Sequence, residues 1–216
     1  MSSVAVVDYG SSNLRSVTKA LEYVAQGQHQ VVVSSNATEI LNADRIVFPG
    51  QGAIGDCMRS LHANALVEVL KAGINSRPFL GICLGLQSLM SISDEDNGVN
   101  CLDLFPGKVQ RFRSNAGPDA DGAPRKIPHM GWNQVHWQKP HPLISGIPGG
   151  SRFYFVHSYY VVPDDDAVTM GKTDYIDSFV SALASGTAFA TQFHPEKSAD
   201  AGLRLLKNFL DWDGEI

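Results

Sequence analysis

The sequence predicts an α/β protein with an open, mixed and mainly parallel sheet flanked by helices, and an antiparallel extension in its second half. Strand-like apolar runs alternate with helical patterns over the first ninety residues, as βαβ units of a parallel sheet require. From about Gly98 the helical patterns give way to short strand-like runs. Since neither an internal repeat nor a linker divides the chain, we expect one domain spanning residues 1–216.

The first half contains the patterns that predict the parallel part of the sheet. Apolar runs predict strands at residues 4–7, 30–34, 45–48 and 79–82. Helical spacing predicts one helix from Leu14 to Gly27, with Asn13 as its cap, and a second helix over residues 54–71. A third helix is predicted to begin at residues 84–90.

The second half is dominated by short strand patterns. They predict strands at residues 108–112, 134–137, 152–156, 159–162, 179–183 and 188–193, with a turn at 185–187. Residues 113–128 are rich in Gly, Pro, Ala, Asp and Asn, which predicts a surface loop. Leu203, Leu206 and Leu210 lie on one stripe of a closing helix predicted at 202–210.

Composition excludes several classes of protein. The net charge of −5 argues against a nucleic-acid-binding protein. Neither a membrane-length apolar run nor an N-terminal targeting pattern is found, so we expect a cytoplasmic protein with no membrane partner. Cys57, Cys83 and Cys101 are too few and too widely spaced for a disulfide framework or a metal site, which predicts free thiols. We expect no metal and no cofactor.

Cys83 lies in the most informative motif of the chain. The apolar run 79–82 stops at this cysteine, and Gly81 and Gly85 flank it in the pattern G-x-C-x-G, which is a nucleophile elbow with cysteine in place of serine. The free backbone N–H groups of the next helical turn would favour a thiolate and bind an oxyanion. The alternative is a buried structural cysteine beside glycines that serve helix packing.

His194 and Glu196 supply the groups that a cysteine nucleophile needs. Residues 49–53, Cys83 and residues 193–198 each follow a predicted strand, and ligands of open parallel sheets bind at these strand ends. A histidine can act as base and acid for the thiol, and Glu196 can orient that ring. The alternative is that His194 is an exposed loop histidine.

Two separated strings carry a resemblance to a known family. GICLGLQ at residues 81–87 and FHPEKS at 193–198 resemble the class I (triad) glutamine amidotransferases, which implies a flavodoxin-like fold. DYGSSNLRSV, PHMGWN, YFVHSY and the PGQGA loop resemble one branch of that family, whose members pass ammonia to a separate cyclase subunit. The chain departs from the branch at Ser12, at Thr191 and in the loop 113–123.

The resemblance implies a glutaminase with a Cys83, His194, Glu196 triad. Cys83 would attack the glutamine carboxamide, and backbone N–H groups of Leu84 and of the loop from Gly50 to Gly52 would hold the oxyanion. His194 would protonate the departing ammonia and activate water against the thioester. Without the resemblance, Gly50 and Gly52 indicate only a tight turn between a strand and a helix.

The resemblance also implies a set of binding residues. Glutamine would be held by Gln87, Glu95 and the backbone of His157, Ser158 and Tyr159. The cyclase subunit would be contacted by Met130, Trp132, Asn133 and Lys197. Two of these residues have plain alternatives, since Glu95 could be a solvated acid and Trp132 a core residue.

Three other functions remain open at this point. The chain could serve another synthase as its glutaminase, such as that of anthranilate or pyridoxal phosphate formation, and an assay with each partner would decide. A stand-alone cysteine hydrolase or peptidase would turn over its substrate with no partner. A non-catalytic binding module would form no thioester at Cys83.

Overall fold

The structure is a computed structural model that describes residues 2–113, 117 and 126–215. Its strands are β1 (Ser2–Val7), β2 (His29–Ser34), β3 (Arg45–Gly50), β4 (Phe79–Cys83), β5 (Met90–Ser93), β6 (Val99–Asn100), β7 (Phe105–Arg111), β8 (His129–Trp137), β9 (Ser151–His157), β10 (Tyr159–Pro163), β11 (Thr169–Asp174), β12 (Ser178–Ser185) and β13 (Ala188–Thr191). Its α-helices are α1 (Leu14–Ala25), α2 (Ala37–Asn42), α3 (Ile54–Ala63), α4 (Val67–Ile74), α5 (Leu84–Gln87) and α6 (Ala199–Asp211).

The strands of the described residues form a mixed sheet in the order β2-β1-β3-β4-β13-β12-β10-β7-β5-β6. From β2 to β13 neighbouring strands are parallel, whereas β12, β10 and β7 continue the sheet antiparallel. Strand β11 pairs with both β12 and β8, and β8 pairs with β9. The predicted fold class, mainly parallel with an antiparallel extension, is confirmed.

The position of β13 decides which residues meet at the sheet edge. β13 pairs in parallel with β4, and Thr191 lies opposite Ile82. On the other side of β4, Gly50 at the end of β3 lies opposite Cys83. The residues that follow β13 therefore leave the sheet beside Cys83, at the carboxyl ends of three adjacent parallel strands, where ligands of such sheets bind.

Both faces of the parallel sheet are covered by apolar side chains. All five residues of β4 are buried, which explains its continuous apolar run, because a central parallel strand has helices on both faces. Val17, Leu21 and Val24 of α1 pack with Leu206 of α6 in one apolar cluster. A second cluster includes residues of α2, α3 and α4.

The prediction of one helix over residues 54–71 is wrong, because the structure has two helices there, α3 and α4. α3 ends at Ala63, and Ala65 adopts a left-handed conformation with φ of 54°. The Leu66 N–H donates to the Leu61 carbonyl at 2.9 Å, and the Ala65 N–H donates to the His62 carbonyl at 3.1 Å. This pair of hydrogen bonds is a Schellman motif, which ends a helix, and sequence periodicity does not reveal it.

The helix predicted at 84–90 is a single turn. α5 ends at Gln87, and β5 begins at Met90. The Ser88 hydroxyl donates to the Leu84 carbonyl at 2.6 Å, a local bond that competes with helix continuation. The buried side chains of Leu89 and Met90 then join the apolar core instead of a helix face.

Several further elements differ from the prediction. The strand predicted at 188–193 ends at Thr191, and the sequence patterns did not predict α2, β5, β6 or β11. The loop predicted at 113–128 lies largely outside the described residues. These elements are short, and their apolar residues are too few to show a period of their own.

The described residues hold neither a membrane-length helix nor a candidate metal site. Within ranges 2–113 and 126–215 no helix is long and apolar enough to cross a membrane. The same ranges contain no group of three or more His, Cys, Asp or Glu side chains placed to hold a metal ion. Cys57, Cys83 and Cys101 are free thiols.

Three buried histidines make the fold sensitive to acid. Burial lowers the pKa of His129 and of His141 to about 4, and it lowers the pKa of His157 to about 3. In the unfolded chain a histidine takes up its proton near pH 6.5. Between pH 6.5 and pH 4 the unfolded state therefore binds more protons than the folded state, and the free energy of unfolding falls as the pH falls.

The substitution His141→Asn tests this pH dependence. In the wild type, His141 Nδ1 accepts a hydrogen bond from the Leu143 N–H at 3.1 Å. The change removes one titrating group, but the asparagine side chain can still accept this hydrogen bond. We expect the difference in the free energy of unfolding between pH 7 and pH 5 to shrink by about 1 kcal/mol, as measured by urea denaturation. His62→Asn, at an exposed histidine of α3, is the control for the loss of a histidine at the surface. An equal result for both variants would contradict the assignment.

Candidate active site

Cys83 is held at a sharp turn between β4 and α5. Its backbone has φ of 56° and ψ of −105°, a conformation that costs a non-glycine residue roughly 1–3 kcal/mol. A side chain at position 85 would overlap the Phe48 carbonyl oxygen, and one at position 81 would lie 3.1 Å from the Ala190 Cβ. Gly85 is therefore required because α5 lies directly against β3, whereas a side chain at position 81 would force its neighbours to shift by a few tenths of an ångström.

His194 and Glu196 are hydrogen-bonded beside this turn. His194 Nδ1 lies 2.8 Å from Glu196 Oε1, and both side chains are at least 99% buried. The Asn13 side-chain amide donates to the same carboxylate oxygen at 2.8 Å. Because an ionised carboxylate only accepts, Nδ1 carries the proton of the ring, and Nε2 is the atom that remains for the thiol.

Charges in this cluster set its protonation. Burial lowers the pKa of His194, but the neighbouring Cys83 and the hydrogen-bonded Glu196 carboxylate outweigh burial, so the pKa lies well above its usual range. Burial raises the pKa of Glu196, but the hydrogen bonds and charge of His194 and the Asn13 amide bring it below its usual range. The arrangement therefore favours a protonated His194 ring held by an ionised Glu196 carboxylate.

Gln192 adds a donor to the sulfur. This glutamine is fully buried, and its Nε2 lies 3.7 Å from Cys83 Sγ. Its Oε1 accepts from Gln87 Nε2 at 3.0 Å, which fixes the orientation of the Gln192 amide. An N–H group directed at the sulfur stabilises the negative charge of a thiolate.

A cavity of about 410 Å³ opens over the turn. Most of the residues predicted to act or bind there line this cavity, namely Cys83, His194, Leu84, Gly52, Gln87, Glu95, His157, Ser158 and Tyr159. Glu196 lies behind His194. Gly50 is buried and packs against Tyr9 and Leu84 instead of lining the cavity. The volume suits a small polar molecule.

Gln87 and Glu95 are both anchored by the protein. Gln87 Nε2 donates to the Tyr159 carbonyl at 2.9 Å and to Gln192 Oε1 at 3.0 Å, so both amide hydrogens are used and the amide oxygen is left for a donor in the cavity. Glu95 Oε2 accepts from the Ile54 N–H at 2.9 Å. Glu95 thus also caps the helix that follows the glycine loop.

The predicted partner residues divide into two groups. Met130 is 67% exposed and Trp132 is 49% exposed, so Trp132 is not a core residue. The Lys197 ammonium lies 6.0 Å from the centroid of the Tyr154 ring. Asn133 instead points inward, because its amide nitrogen lies 3.2 Å from His129 Nε2 and donates to the Asp174 carbonyl at 2.9 Å.

The sequence patterns missed four polar residues of the site. Asn13 was predicted as a helix cap, but its side chain makes no capping bond and reaches Glu196 instead. Gln192 was not predicted, although its place before Phe193 and His194 was a usable signal. Ser12 and Gln51 line the cavity, and Gln51 donates to the Ser12 hydroxyl. No sequence signal joins Asn13 to a residue 183 positions away.

A second, larger groove lies elsewhere on the molecule. It measures about 670 Å³ and is lined by α1, α6 and residues 146–151, including Tyr23, Ile147 and Arg204. Among the described residues that line it there is neither cysteine nor histidine. Because chemistry needs reactive side chains and not volume alone, the smaller cavity over Cys83 is the candidate active site.

Comparisons with known proteins match nearly the whole chain. Residues 5–212 match the family model for Glutamine amidotransferase class-I. The chain is 56% identical over 214 residues to the imidazole glycerol phosphate synthase subunit HisH of Nitrosococcus oceani, which covers 99% of each chain. It is 53% identical over 212 residues to the same subunit of Aromatoleum aromaticum, with 98% of this chain and 99% of that relative covered.

Solved structures with the same fold have distant sequences. A putative GMP synthase subunit from Thermoplasma acidophilum matches with a TM-score of 0.70 and 20% identity, covering 98% of this chain and 93% of that one. A glutamine amidotransferase structure matches with a TM-score of 0.70 and 14% identity, covering 96% and 97%. At these identities the likeness supports the fold alone.

Proposed function

Because the chain belongs to the class I glutamine amidotransferase family, we propose that it is the glutaminase subunit of imidazole glycerol phosphate synthase. It hydrolyses glutamine to glutamate and ammonia and passes the ammonia to the cyclase subunit, its partner in a heterodimer. The cyclase then forms imidazole glycerol phosphate and AICAR in histidine biosynthesis. Identities of 53–56% over nearly the whole length to subunits of that synthase support the assignment. The continuous sheet supports one domain over residues 1–216.

The mechanism follows from the roles of the three side chains. Cys83 gives its thiol proton to His194 Nε2 and attacks the side-chain carbonyl carbon of glutamine, whose oxygen becomes an oxyanion. As the C–N bond breaks, the His194 imidazolium gives its proton to the departing nitrogen, so that ammonia leaves and a thioester remains. His194, now neutral, takes a proton from water, which attacks the thioester and releases glutamate. Glu196 stabilises the imidazolium in both halves of the cycle.

The oxyanion hole combines a fixed donor with a movable one. The Leu84 N–H lies in the first turn of α5 and next to the nucleophile, where a backbone donor has no helical partner. Gly52 lines the cavity with φ of 99°, and Gly50 lies behind it at the end of β3. Since loss of one such donor costs roughly 10²–10³ in rate, a rotation of this glycine loop would switch the enzyme on.

Substrate binding uses the polar groups that line the cavity. The Gln87 amide oxygen suits an N–H donor of glutamine, and the Glu95 carboxylate suits its α-ammonium group. The backbone of residues 157–159 would contact the remaining polar groups of the substrate. The three contacts bind glutamine with its carboxamide over Cys83, which raises the effective concentration of the reacting atoms.

A partner over the cavity has a chemical purpose. Ammonia released into water is largely protonated and loses its nucleophilicity, so it must pass directly to the second site. The outer side chains of β8, Met130 and Trp132, form with Lys197 a partly aromatic surface of the kind interfaces favour, and Val156, which pairs with Met130, lines the cavity. We place the enzyme in the cytoplasm, where its free cysteines stay reduced.

One observation carries the proposal. His194, paired with Glu196 at 2.8 Å, lines the same 410 Å³ cavity as Cys83 although 111 positions separate them, and β13 beside β4 explains the meeting. A candidate nucleophile and its base thus share one pocket of a size that suits glutamine, and the candidate orienting acid is hydrogen-bonded to the base from behind.

The test is reconstitution with the cyclase subunit. We expect the two chains to co-purify, and we expect glutamine hydrolysis to be slow in the isolated chain and about 10²-fold faster or more when the cyclase and its substrate are present. Full activity in the isolated chain would favour a stand-alone hydrolase. Activation by the anthranilate or pyridoxal phosphate synthase instead would assign the chain to another synthase.

Asn13→Ala tests the support of the triad. The change removes a charge-assisted hydrogen bond to Glu196 and leaves the His194 ring less firmly oriented, so we expect glutamine turnover by the complex to fall about tenfold. Synthesis from ammonium salts should remain. Asn208→Ala is a matched control, because the Asn208 amide donates to the Leu143 and Ser145 carbonyls and to no group of the triad. Equal losses in both variants would show a general effect on the fold.

A further inference from the structure

Two buried histidines, which the mechanism above does not use as acids or bases, lie side by side at the edge of the cavity. His129 begins β8, His157 ends β9, and the two are cross-strand partners. His129 Nδ1 lies 2.9 Å from His157 Nε2. The His129 ring also stacks on Phe155 and on Tyr175, with centroids 4.9 and 4.1 Å apart.

The direction of the hydrogen bonds in this pair is determined by its partners. Burial keeps both pKa values far below neutrality, so each ring has one donor and one acceptor nitrogen. His157 Nδ1 lies 2.7 Å from the Tyr159 carbonyl oxygen, which only accepts. His157 Nδ1 therefore carries the proton, His157 Nε2 accepts from His129 Nδ1, and His129 Nε2 accepts from the Asn133 amide at 3.2 Å.

The chain of hydrogen bonds continues inward to the nucleophile. The Tyr159 carbonyl accepts a second hydrogen bond from Gln87 Nε2 at 2.9 Å. Gln87 also donates to Gln192 Oε1 at 3.0 Å, and Gln192 Nε2 lies 3.7 Å from Cys83 Sγ. Each amide is fixed by its neighbour, so a displacement of the Tyr159 carbonyl changes where the donor at the sulfur points.

The same hydrogen-bond chain continues outward to the exposed face of β8. Side chains alternate along this strand, so that His129 and Asn133 point inward while Met130 and Trp132 are exposed. Asn133 further donates to the Asp174 carbonyl at 2.9 Å, which ties the end of β11 to the same strand. Among the described strands, β8 thus carries both the exposed side chains of Met130 and Trp132 and the first two residues of the hydrogen-bond chain, Asn133 and His129.

We propose that His129 and His157 are positioning residues for glutamine hydrolysis. Through the Tyr159 carbonyl, Gln87 and Gln192 they connect β8 to the sulfur of Cys83. A partner docked on the outer face of β8 therefore sets the geometry of the nucleophile. The inference rests on the proposed function, because it takes the cyclase subunit to be that partner. It assigns the histidine pair a part in activation that is separate from the oxyanion loop.

The test is His129→Phe in the complex of the full chain with the cyclase subunit. Phenylalanine keeps the stacking on Phe155 and Tyr175 but removes both hydrogen bonds. We measure kcat and KM for glutamine with and without the cyclase's substrate, and expect the ratio of loaded to unloaded rates to fall about tenfold. Synthesis from ammonium salts by the same preparation should stay within about twofold, because the cyclase site is untouched.

His141→Phe is the matched control. His141 is another buried neutral histidine, packed against Phe189 and Trp212. Its ring accepts a hydrogen bond from the Leu143 N–H and contacts neither histidine of the pair among the described residues. His141→Phe should lower the melting temperature as much as His129→Phe does. The ratio of loaded to unloaded rates should be unchanged in His141→Phe. A role confined to stability predicts that the two variants lower the ratio equally.

The outcomes separate the inference from the proposed function. A wild-type complex that makes no product from glutamine refutes the proposed function. An active wild type with an unchanged ratio in His129→Phe, or with an equal loss in His141→Phe, refutes the inference alone. Should His129→Phe fail to fold, Asn133→Ala is measured at a saturating concentration of the cyclase subunit. This change removes the amide that donates to His129 Nε2. We then expect the ratio of loaded to unloaded rates to fall about threefold, and an unchanged ratio refutes the inference.

Discussion

Cys83→Ala is expected to lower glutamine-dependent synthesis by about 10⁴-fold or more, while synthesis from ammonium salts stays at the wild-type rate. In the proposed mechanism the Cys83 sulfur forms the thioester, and alanine has no atom that could replace it. The fold should persist, because alanine takes the same backbone conformation at φ of 56° as cysteine does. The two rates are measured on one preparation of the complex with the cyclase subunit.

Cys57→Ala is the control for this substitution. Cys57 is a buried cysteine of α3 that lies 3.5 Å from the Ser88 hydroxyl, and burial raises the pKa of its thiol. We expect the glutamine-dependent rate of this variant to stay within about twofold of wild type. If Cys83→Ala lowered the ammonium-dependent rate as well, the damage would lie in the complex and not in the chemistry.

His194→Asn is expected to cost roughly 10³–10⁴ in glutamine turnover. The Asn side chain can still donate to Glu196 in place of His194 Nδ1, so the buried carboxylate keeps a partner. It cannot take up a proton at neutral pH, and ammonia release and thioester hydrolysis both lose their proton carrier. Alanine at this position would leave a buried charge unpaired, which is why asparagine is the better test.

The double variant Cys83→Ala, His194→Asn shows whether the two residues act as a unit. Groups that serve one step are strongly non-additive, so we expect the double variant to be no slower than Cys83→Ala alone. The glutaminase rates of the four members of this cycle are the measurement. Losses that multiply would mean that His194 acts on a step that does not involve the thiol.

Much of the fold could be predicted because its signals are local. The strands 4–7, 45–48 and 79–82 and the helix after Asn13 were predicted from a few adjacent residues, and all are present. The two helical errors, at 54–71 and 84–90, arise where a backbone hydrogen bond or a serine hydroxyl ends a helix within an apolar stretch. Periodicity does not detect such endings.

The site was predicted more fully than its supports. Cys83, His194 and Glu196 carry short motifs, since a nucleophile and its base need particular side chains at particular turns. Asn13 and Gln192 contact that machinery without a motif of their own, and the inward turn of Asn133 follows from the alternation of β8. Contacts across 100 or more positions depend on which strands become neighbours.

The sequence by itself determined the groups on which the proposed chemistry depends, because a strained turn, a thiol and an imidazole with its carboxylate are each specified within a few adjacent residues. Tertiary structure alone decided that the thiol and the imidazole meet, through the pairing of β13 with β4, and that β8 is joined to the nucleophile by a buried hydrogen-bond chain. The physical reason is that strand order is set by burial and backbone pairing over the whole sheet. No short segment encodes it.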